Sequence, residues 1–270
     1  MREEENVEVA GVTECTKARI EYRDNGIRIL VLDDPGKRNA IGPDMRQDLL
    51  CAADTLAADA DARCLVVTGA GSSFCAGADL MAIFGADDAT PSALRDRQIS
   101  YYDSFLWLRR LAYPTVAAVN GYAIGAGLNL ALACDITIAG PGARFGATFA
   151  KLGLHPGGGC TYFLTRKLGK SRALHTLLLG RTLGGEEAHQ QGLADYYAED
   201  PLSEAFAFAA AVADLQPSLA RDIKQAVNLA GEHSFDVTMG FEAWAQAASS
   251  YNAGVQEAIR AAGRSTVSRD

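Results

Sequence analysis

The chain has 270 residues, of which 49% are apolar, 21% charged and 8% aromatic, and it carries a formal net charge of −8. That length and balance suit a globular protein with a full core and exclude chain-wide disorder. The acidic balance argues against a nucleic-acid backbone as the main partner, yet a few local cations suffice for a small anionic ligand.

In chain order, the acidic lead MREEENVEV lacks the apolar run of a secretory signal, so a cytoplasmic location is expected. IRILVLDDP (27–35) reads as a strand running into a Pro-Gly break. From Pro43 to Ala60, residues Met45, Leu49, Ala52, Ala53 and Leu56 recur at helical spacing and form one buried stripe. CLVVTG (64–69) is a β-rich run closed by glycine, and 91–112 reads as a helix with Ile99, Tyr102, Leu106 and Leu108 toward the core. After Pro114, TVAAVNG reads as a buried strand. LNLALAC (128–134) is a helix apolar on nearly all sides, and DITIAG (135–140) is strand again. The stretch 116–139 is interrupted by glycines, Asn120, Asn129 and Asp135, too polar a pattern for a membrane span.

Strands alternating with helices predict an α/β fold with crossover connections and mainly parallel pairing. Beyond Gly159 the pattern shifts to short helices at 160–168, 170–179 and 185–191, with a brief extended piece at 192–198. From about 202 the chain is alanine-rich and helical, broken at Pro217 and near 231–234. The expected division is a core over 1–200 and a helical region over 201–270. The cysteines at 15, 51, 64, 75, 134 and 160 form no CxxC pair and no ligand spacing with histidine. They read as reduced, buried thiols, and no metal site is expected.

Two small-residue turns carry the chemistry. NGYAIGAGLNLALACD (120–135) joins a glycine-rich turn to the start of the apolar helix, and SSFCAGADL (72–80) offers a second such turn. Glycines permit close backbone approach, and the first N–H groups of a helix are free and favour negative charge. The Ala126 N–H, with the Ala78 N–H as a second donor, could therefore stabilise an oxyanion without any catalytic side chain. The plainer reading of each glycine cluster is tight packing of a helix on a sheet.

The chain resembles the enoyl-CoA hydratase/isomerase (crotonase) family from about Ile27 to Asp195, and more weakly to the C-terminus. The resemblance rests on LDDPGKRNAIGPDM (32–45), LVVTGAGSSFCAGADL (65–80), PTVAAVNGYAIGAGLNLALACDITIAGPGARFG (114–146) and GLHPGGGCTYFLTRKLGKSRALHTLLLGR (153–181). It implies a crotonase-like spiral core of repeated β-β-α units with a helical C-terminal region for oligomerisation. It also implies an acyl-CoA thioester whose oxygen is held by the Ala78 and Ala126 N–H groups. Coenzyme A would then be the substrate's carrier, with no tightly bound cofactor. Cys75, Ala76, Ala78, Asp79 and Leu80 would border the CoA, and Lys37 and Arg38 would face its phosphates. A homotrimer or dimer of trimers is implied, with neither nucleic acid nor membrane as partner.

The departures are as informative. Where hydratases of the family carry one catalytic glutamate this chain has Asn129, where they carry the second it has Phe149, and a third acidic position matches Gly157. Asn129 can orient water or bond a substrate group but cannot take a proton at neutral pH. Its other reading is a polar residue lining the helix. Phe149 is expected to shape the acyl pocket. His155 is the candidate replacement base, unless its side chain turns away to cap a helix. His175 is expected to pack with Leu174, Leu178 and Leu179. Asp79 and Asp135 are read as structural, and Arg166, Lys167, Lys170 and Arg172 as an exposed basic face. The family label implies hydration of 2-enoyl-CoA by a lyase or isomerase. An acyl-CoA decarboxylase or C–C bond hydrolase is the alternative, and a non-catalytic acyl-CoA-binding protein is the third.

Overall fold

A computed structural model describes residues 11–14, 16–85 and 90–267, with side chains at 16–85 and 90–262. The acidic lead and Cys15 lie outside the described residues. The chain divides into two compact units, Met1–Asp214 and Leu215–Asp270.

In the first unit the strands are β1 (Gly11–Glu14), β2 (Ala18–Tyr22), β3 (Ile27–Leu32), β4 (Cys64–Gly69), β5 (Thr115–Val119), β6 (Tyr122–Ile124), β7 (Ile136–Ala139), β8 (Arg144–Gly146), β9 (Thr182–Gly184) and β10 (Tyr196–Tyr197). The helices are α1 (Pro43–Ala58), α2 (Leu80–Phe84), α3 (Pro91–Leu106), α4 (Ala126–Ala133), α5 (Cys160–Leu178), α6 (Gly185–Gln190) and α7 (Pro201–Ala213). A seven-stranded sheet runs β1-β2-β3-β4-β5-β7-β10, and a smaller sheet runs β6-β8-β9. Pairing is antiparallel through β1, β2 and β3 and parallel from β3 to β10. The central strands are largely apolar because both faces are covered, and every residue of β3, β4 and β5 is buried, Arg28, Thr68 and Thr115 included.

The connections repeat one pattern. After β3, β4 and β5 the chain makes a short extended piece in a second layer and then a helix. Ile41 follows β3 and precedes α1, the segment 75–78 follows β4 and precedes α2, and β6 follows β5 and precedes α4. These second-layer pieces pair in parallel through Ile41 with Ala78, Cys75 with Ala123, and β6 with β8. This is the spiral of β-β-α units that the family resemblance implies.

Several local expectations are corrected. α3 stops at Leu106 and tightens into a 3-10 turn over Trp107–Arg110. Ile99 is exposed, whereas Leu108 is buried. The expected break between helices at 160–168 and 170–179, by contrast, is present: α5 is interrupted at Gly169, whose φ of 74° and ψ of 166° leave the helical region. Along its last turns Leu174, His175, Leu178 and Leu179 are all exposed, so His175 is not a buried packing residue of this chain. Cys51 is exposed, unlike Cys64, Cys75, Cys134 and Cys160.

The second unit holds α8 (Pro217–Glu232), α9 (Phe235–Ser250) and α10 (Ala253–Val267). Among the described residues no helix is long and apolar enough to cross a membrane.

Candidate active site

Two backbone segments meet where the small-residue turns converge. A Cβ on Gly127 would lie 2.1 Å from the Cys75 carbonyl oxygen, and one on Gly77 would lie 2.6 Å from the Ile124 oxygen. Gly77 also takes a φ of 103°. Glycine is required at both places because the backbones touch. The same contact brings the position of a Gly77 Cβ within 3.7 Å of the Ala126 nitrogen.

Ala126 is the first residue of α4, capped by Gly125 at φ 54° without a side-chain partner, so its N–H lies outside the helical ladder. On the facing segment, Gly77 O accepts from Ile41 N at 2.8 Å and Asp79 N donates to Ile41 O at 3.2 Å. Successive peptide groups of extended chain alternate, so the Ala78 N–H turns to the opposite side. Among the described residues neither the Ala78 nor the Ala126 N–H has a hydrogen-bond partner. Both residues line a cavity of about 450 Å³.

The wall of that cavity is mostly apolar, with Leu80, Ile83, Leu94, Phe105, Phe149 and Leu154 among its residues. Among the described residues no Asp or Glu lines it. Asn129 sits on α4, is 1% exposed, and donates from Nδ2 to the Gly157 carbonyl at 2.8 Å. Phe149 brings its Cζ to 3.7 Å from the position of a Gly125 Cβ, beside the Ala126 donor.

Gly157 is closed from the other side, because a Cβ there would stand 2.3 Å from the Tyr102 hydroxyl. Tyr102, read from sequence as core, is thus a polar group of the cavity wall. Burial raises its phenol pKa, with the hydrogen bond at Gly158 acting the other way. Its neighbour Tyr101 donates its hydroxyl to Ile41 O at 3.2 Å, and burial pushes its pKa up further. His155 also lines the cavity, on an exposed loop, with Nδ1 at 2.8 Å from Pro156 O. A carbonyl only accepts, so Nδ1 carries the proton and a neutral ring keeps its lone pair on Nε2.

The remaining candidates lie around the 75–80 segment. Ala76 N donates to Arg38 O at 2.9 Å, which ties the 37–38 turn to that segment. Lys37 and Arg38 are exposed and do not line the cavity, while Ala76 and Leu80 do. Cys75 contributes its backbone: its thiol is fully buried and burial pushes it up to about 12. Asp79 caps α2 by accepting from Met81 N and Ala82 N at 3.1 and 3.2 Å.

A residue that the sequence reading passed over is Asn39. Its buried Nδ2 donates to Ala70 O at 3.0 Å and to Ser73 O at 2.8 Å, and its Oδ1 accepts from Asp34 N at 2.8 Å. The available signal was an asparagine in a turn, a residue type that tolerates the left-handed φ of 57° found here. Asp135 holds Thr115 through its N–H at 2.7 Å and its hydroxyl at 2.9 Å. In the basic cluster, Lys167 pairs with Asp195 at 2.6 Å, and Arg166, Lys170 and Arg172 are exposed.

The family model described as enoyl-CoA hydratase/isomerase matches residues 22–261. The protein named probable enoyl-CoA hydratase EchA14 from Mycobacterium tuberculosis (strain H37Rv) is 46% identical over 187 residues, covering 69% of this chain and 72% of that protein. The crystal structure of an enoyl-CoA hydratase from Bacillus anthracis superposes with a TM-score of 0.83 at 25% identity, covering 93% and 97% of the two chains. A Thermobifida fusca YX structure in complex with acetoacetyl-CoA gives a TM-score of 0.77 at 32% identity, covering 86% of this chain and 94% of that one. The chain belongs to the enoyl-CoA hydratase/isomerase family and has its crotonase-like α/β fold.

Proposed function

We propose that this member of the enoyl-CoA hydratase/isomerase family polarises the thioester carbonyl of an acyl-CoA between the Ala78 and Ala126 N–H groups. The observation that carries the reading is the pair of unpartnered N–H groups meeting at a largely apolar cavity. Such donors stabilise the negative charge that develops on the thioester oxygen as an enolate forms. The segment 75–80 would border the CoA, and Lys37 and Arg38, on the turn tied to it, would meet the phosphates.

The nominal reaction is hydration of a 2-enoyl-CoA, in which the oxygen of water bonds to C3 and a proton is delivered to C2. With Asn129, Phe149 and Gly157 at the acidic positions, the titratable groups on the described wall are Tyr101, Tyr102 and His155. Of these, Tyr102 and His155 are the candidates to carry the proton. Decarboxylation or C–C hydrolysis is less supported. One of the two N–H groups of the Asn129 amide is engaged by Gly157 O, and its unpartnered Oδ1 only accepts, so that oxygen offers no hydrogen bond to a leaving carboxylate.

The helical region after 201 is assigned to oligomerisation, as a homotrimer or dimer of trimers in the cytoplasm. Phe235 and Trp244 are 77% and 79% exposed in the single chain, which supports burial between subunits. Light scattering reads the stoichiometry.

The test is mass spectrometry of crotonyl-CoA and malonyl-CoA after incubation with the protein. Gain of one water by crotonyl-CoA establishes hydration, loss of CO₂ from malonyl-CoA the decarboxylase, and saturable binding without turnover a binding protein. Ala126→Val should lower kcat/KM by about 10²–10³-fold by crowding the oxyanion donor. An unchanged value in a folded variant overturns the placement.

A further inference from the structure

We propose that Tyr102 is the proton donor of the site, its hydroxyl protonating the second acyl carbon of the enolate held by Ala78 and Ala126. This rests on the reading of the cavity as the acyl-CoA site, and it applies to any reaction there that passes through that enolate.

Tyr101, Tyr102 and His155 are the titratable groups on the described cavity wall, and two of them have committed their protons. Tyr101 donates its hydroxyl to Ile41 O at 3.2 Å. His155 donates from Nδ1 to Pro156 O at 2.8 Å, so its neutral ring offers the cavity only a lone pair. Among the described residues the Tyr102 hydroxyl donates to no group. Nor is it sealed: Tyr102 is partly exposed, and its oxygen is not one of the buried atoms left without a partner.

Packing holds the phenol beside the path of the acyl group. Edge-on contacts with Tyr101 and Phe105, at centroid separations of 6.2 and 6.4 Å, orient the ring. Its hydroxyl stands over Gly157, and its Cδ1 lies 3.4 Å from the position of a Gly158 Cβ. That same position is 2.7 Å from Asn129 Nδ2, so the phenol and α4 meet across one loop. Asn129 is three residues beyond Ala126, about 4.5 Å along the helix axis. The carbon next to a thioester carbonyl held at Ala126 therefore enters the space that Tyr102 borders.

The oxygen is also prepared to lose its proton to carbon. Burial keeps the phenol neutral, while the Gly158 N–H donates to its oxygen. That bond leaves the hydroxyl proton uncommitted and stabilises the phenolate that remains after transfer. In the step, the enolate electron pair forms the C2–H bond and the thioester carbonyl is restored. The O–H bond breaks, its electrons stay on Tyr102 Oη, and solvent returns a proton to the phenolate. In hydration the water oxygen has by then bonded to C3 and passed its proton to the His155 lone pair. In decarboxylation CO₂ has left instead. Solvent is the competing donor at C2, but a fixed phenol serves one face of the enolate only.

Deuterium exchange at C2 of butyryl-CoA in D₂O at pH 9 tests this, because the reverse step lets the phenolate remove a C2 proton. The unmodified protein should incorporate one deuteron and stop. Tyr102→Phe should slow the exchange by about 10²-fold or more, with the Kd for butyryl-CoA unchanged. Equal rates in the two proteins overturn the proposal, as does exchange at both C2 positions at similar rates. Binding to the unmodified protein without exchange overturns it too, and each of these results leaves the acyl-CoA reading standing. A folded Tyr102→Phe that loses binding as well marks a structural role and also overturns it. If butyryl-CoA does not bind the unmodified protein, this inference falls together with the proposed function. Should Tyr102→Phe not fold, the number of deuterons taken up by the unmodified complex decides alone.

Discussion

The Tyr102 hydroxyl occupies the place that a side chain at Gly157 would need, with only 2.3 Å between Oη and a Cβ on the glycine. The tyrosine comes from α3 and the glycine from the loop before α5, so two segments far apart in sequence settle one wall of the cavity. The third acidic position of the family is therefore closed by a phenol, and restoring a carboxylate there is sterically blocked.

Gly157→Ala should destabilise the protein by about 1–3 kcal/mol, the usual cost of forcing an extra methyl into packed structure. Adding Tyr102→Phe removes the nearest atom and should recover part of that loss, with Cζ still 3.1 Å away. Urea midpoints of the two variants read this directly. A Gly157→Ala protein as stable as its parent would show that the hydroxyl does not sit there.

Asn39 is the latch between the 37–38 turn and the segment leading to the oxyanion donor. Asn39→Ala strands the Ala70 and Ser73 carbonyls and also loses the side chain that eases a φ of 57°. The expected loss is about 1–3 kcal/mol from the stranded acceptors. Faster amide exchange at 73–78 should accompany it. Unaltered exchange there would mean that the loop is held by its other bonds.

The thiols differ by position. At pH 8 iodoacetamide should modify exposed Cys51 in the folded protein, while buried Cys75 and Cys160 react only on unfolding. Burial pushes both thiols up to about 12 from an ordinary 9.0. A raised folded-state value favours the neutral thiol, so this contribution to stability is complete below about pH 9. It is lost as pH rises from about 9 toward 12, because the unfolded chain ionises first. Denaturant midpoints over that window should fall less in a folded Cys75→Ala, Cys160→Ala protein; an identical pH slope would count against the assignment.

Much of the fold was legible because local pattern and burial coincide. IRILVL, CLVVTG and TVAAV are mostly apolar without a strict alternation, the signature of strands covered on both faces, and each is a strand of the main sheet. The three-residue strands β6, β8 and β9 were not legible, because so short a run carries no measurable period and is defined by its partners. The leucines near the end of α5 show the complementary failure. Helical spacing identifies an apolar stripe, but Leu174, Leu178 and Leu179 are exposed within the chain.

By itself the sequence determined the chemical content of the site: glycines at 77, 125 and 127, and no carboxylate at 129, 149 or 157. Those facts follow from residue identity, which folding cannot alter. Only the tertiary structure decided what the substitutes do. It engages one N–H of the Asn129 amide with Gly157 O, leaves its Oδ1 buried, and sets Tyr102 over the same glycine. These are contacts between α4, α3 and a loop brought together by packing, and no local period encodes them. A hydrogen bond is specified by the distance and direction of two groups, which chain neighbours alone do not fix.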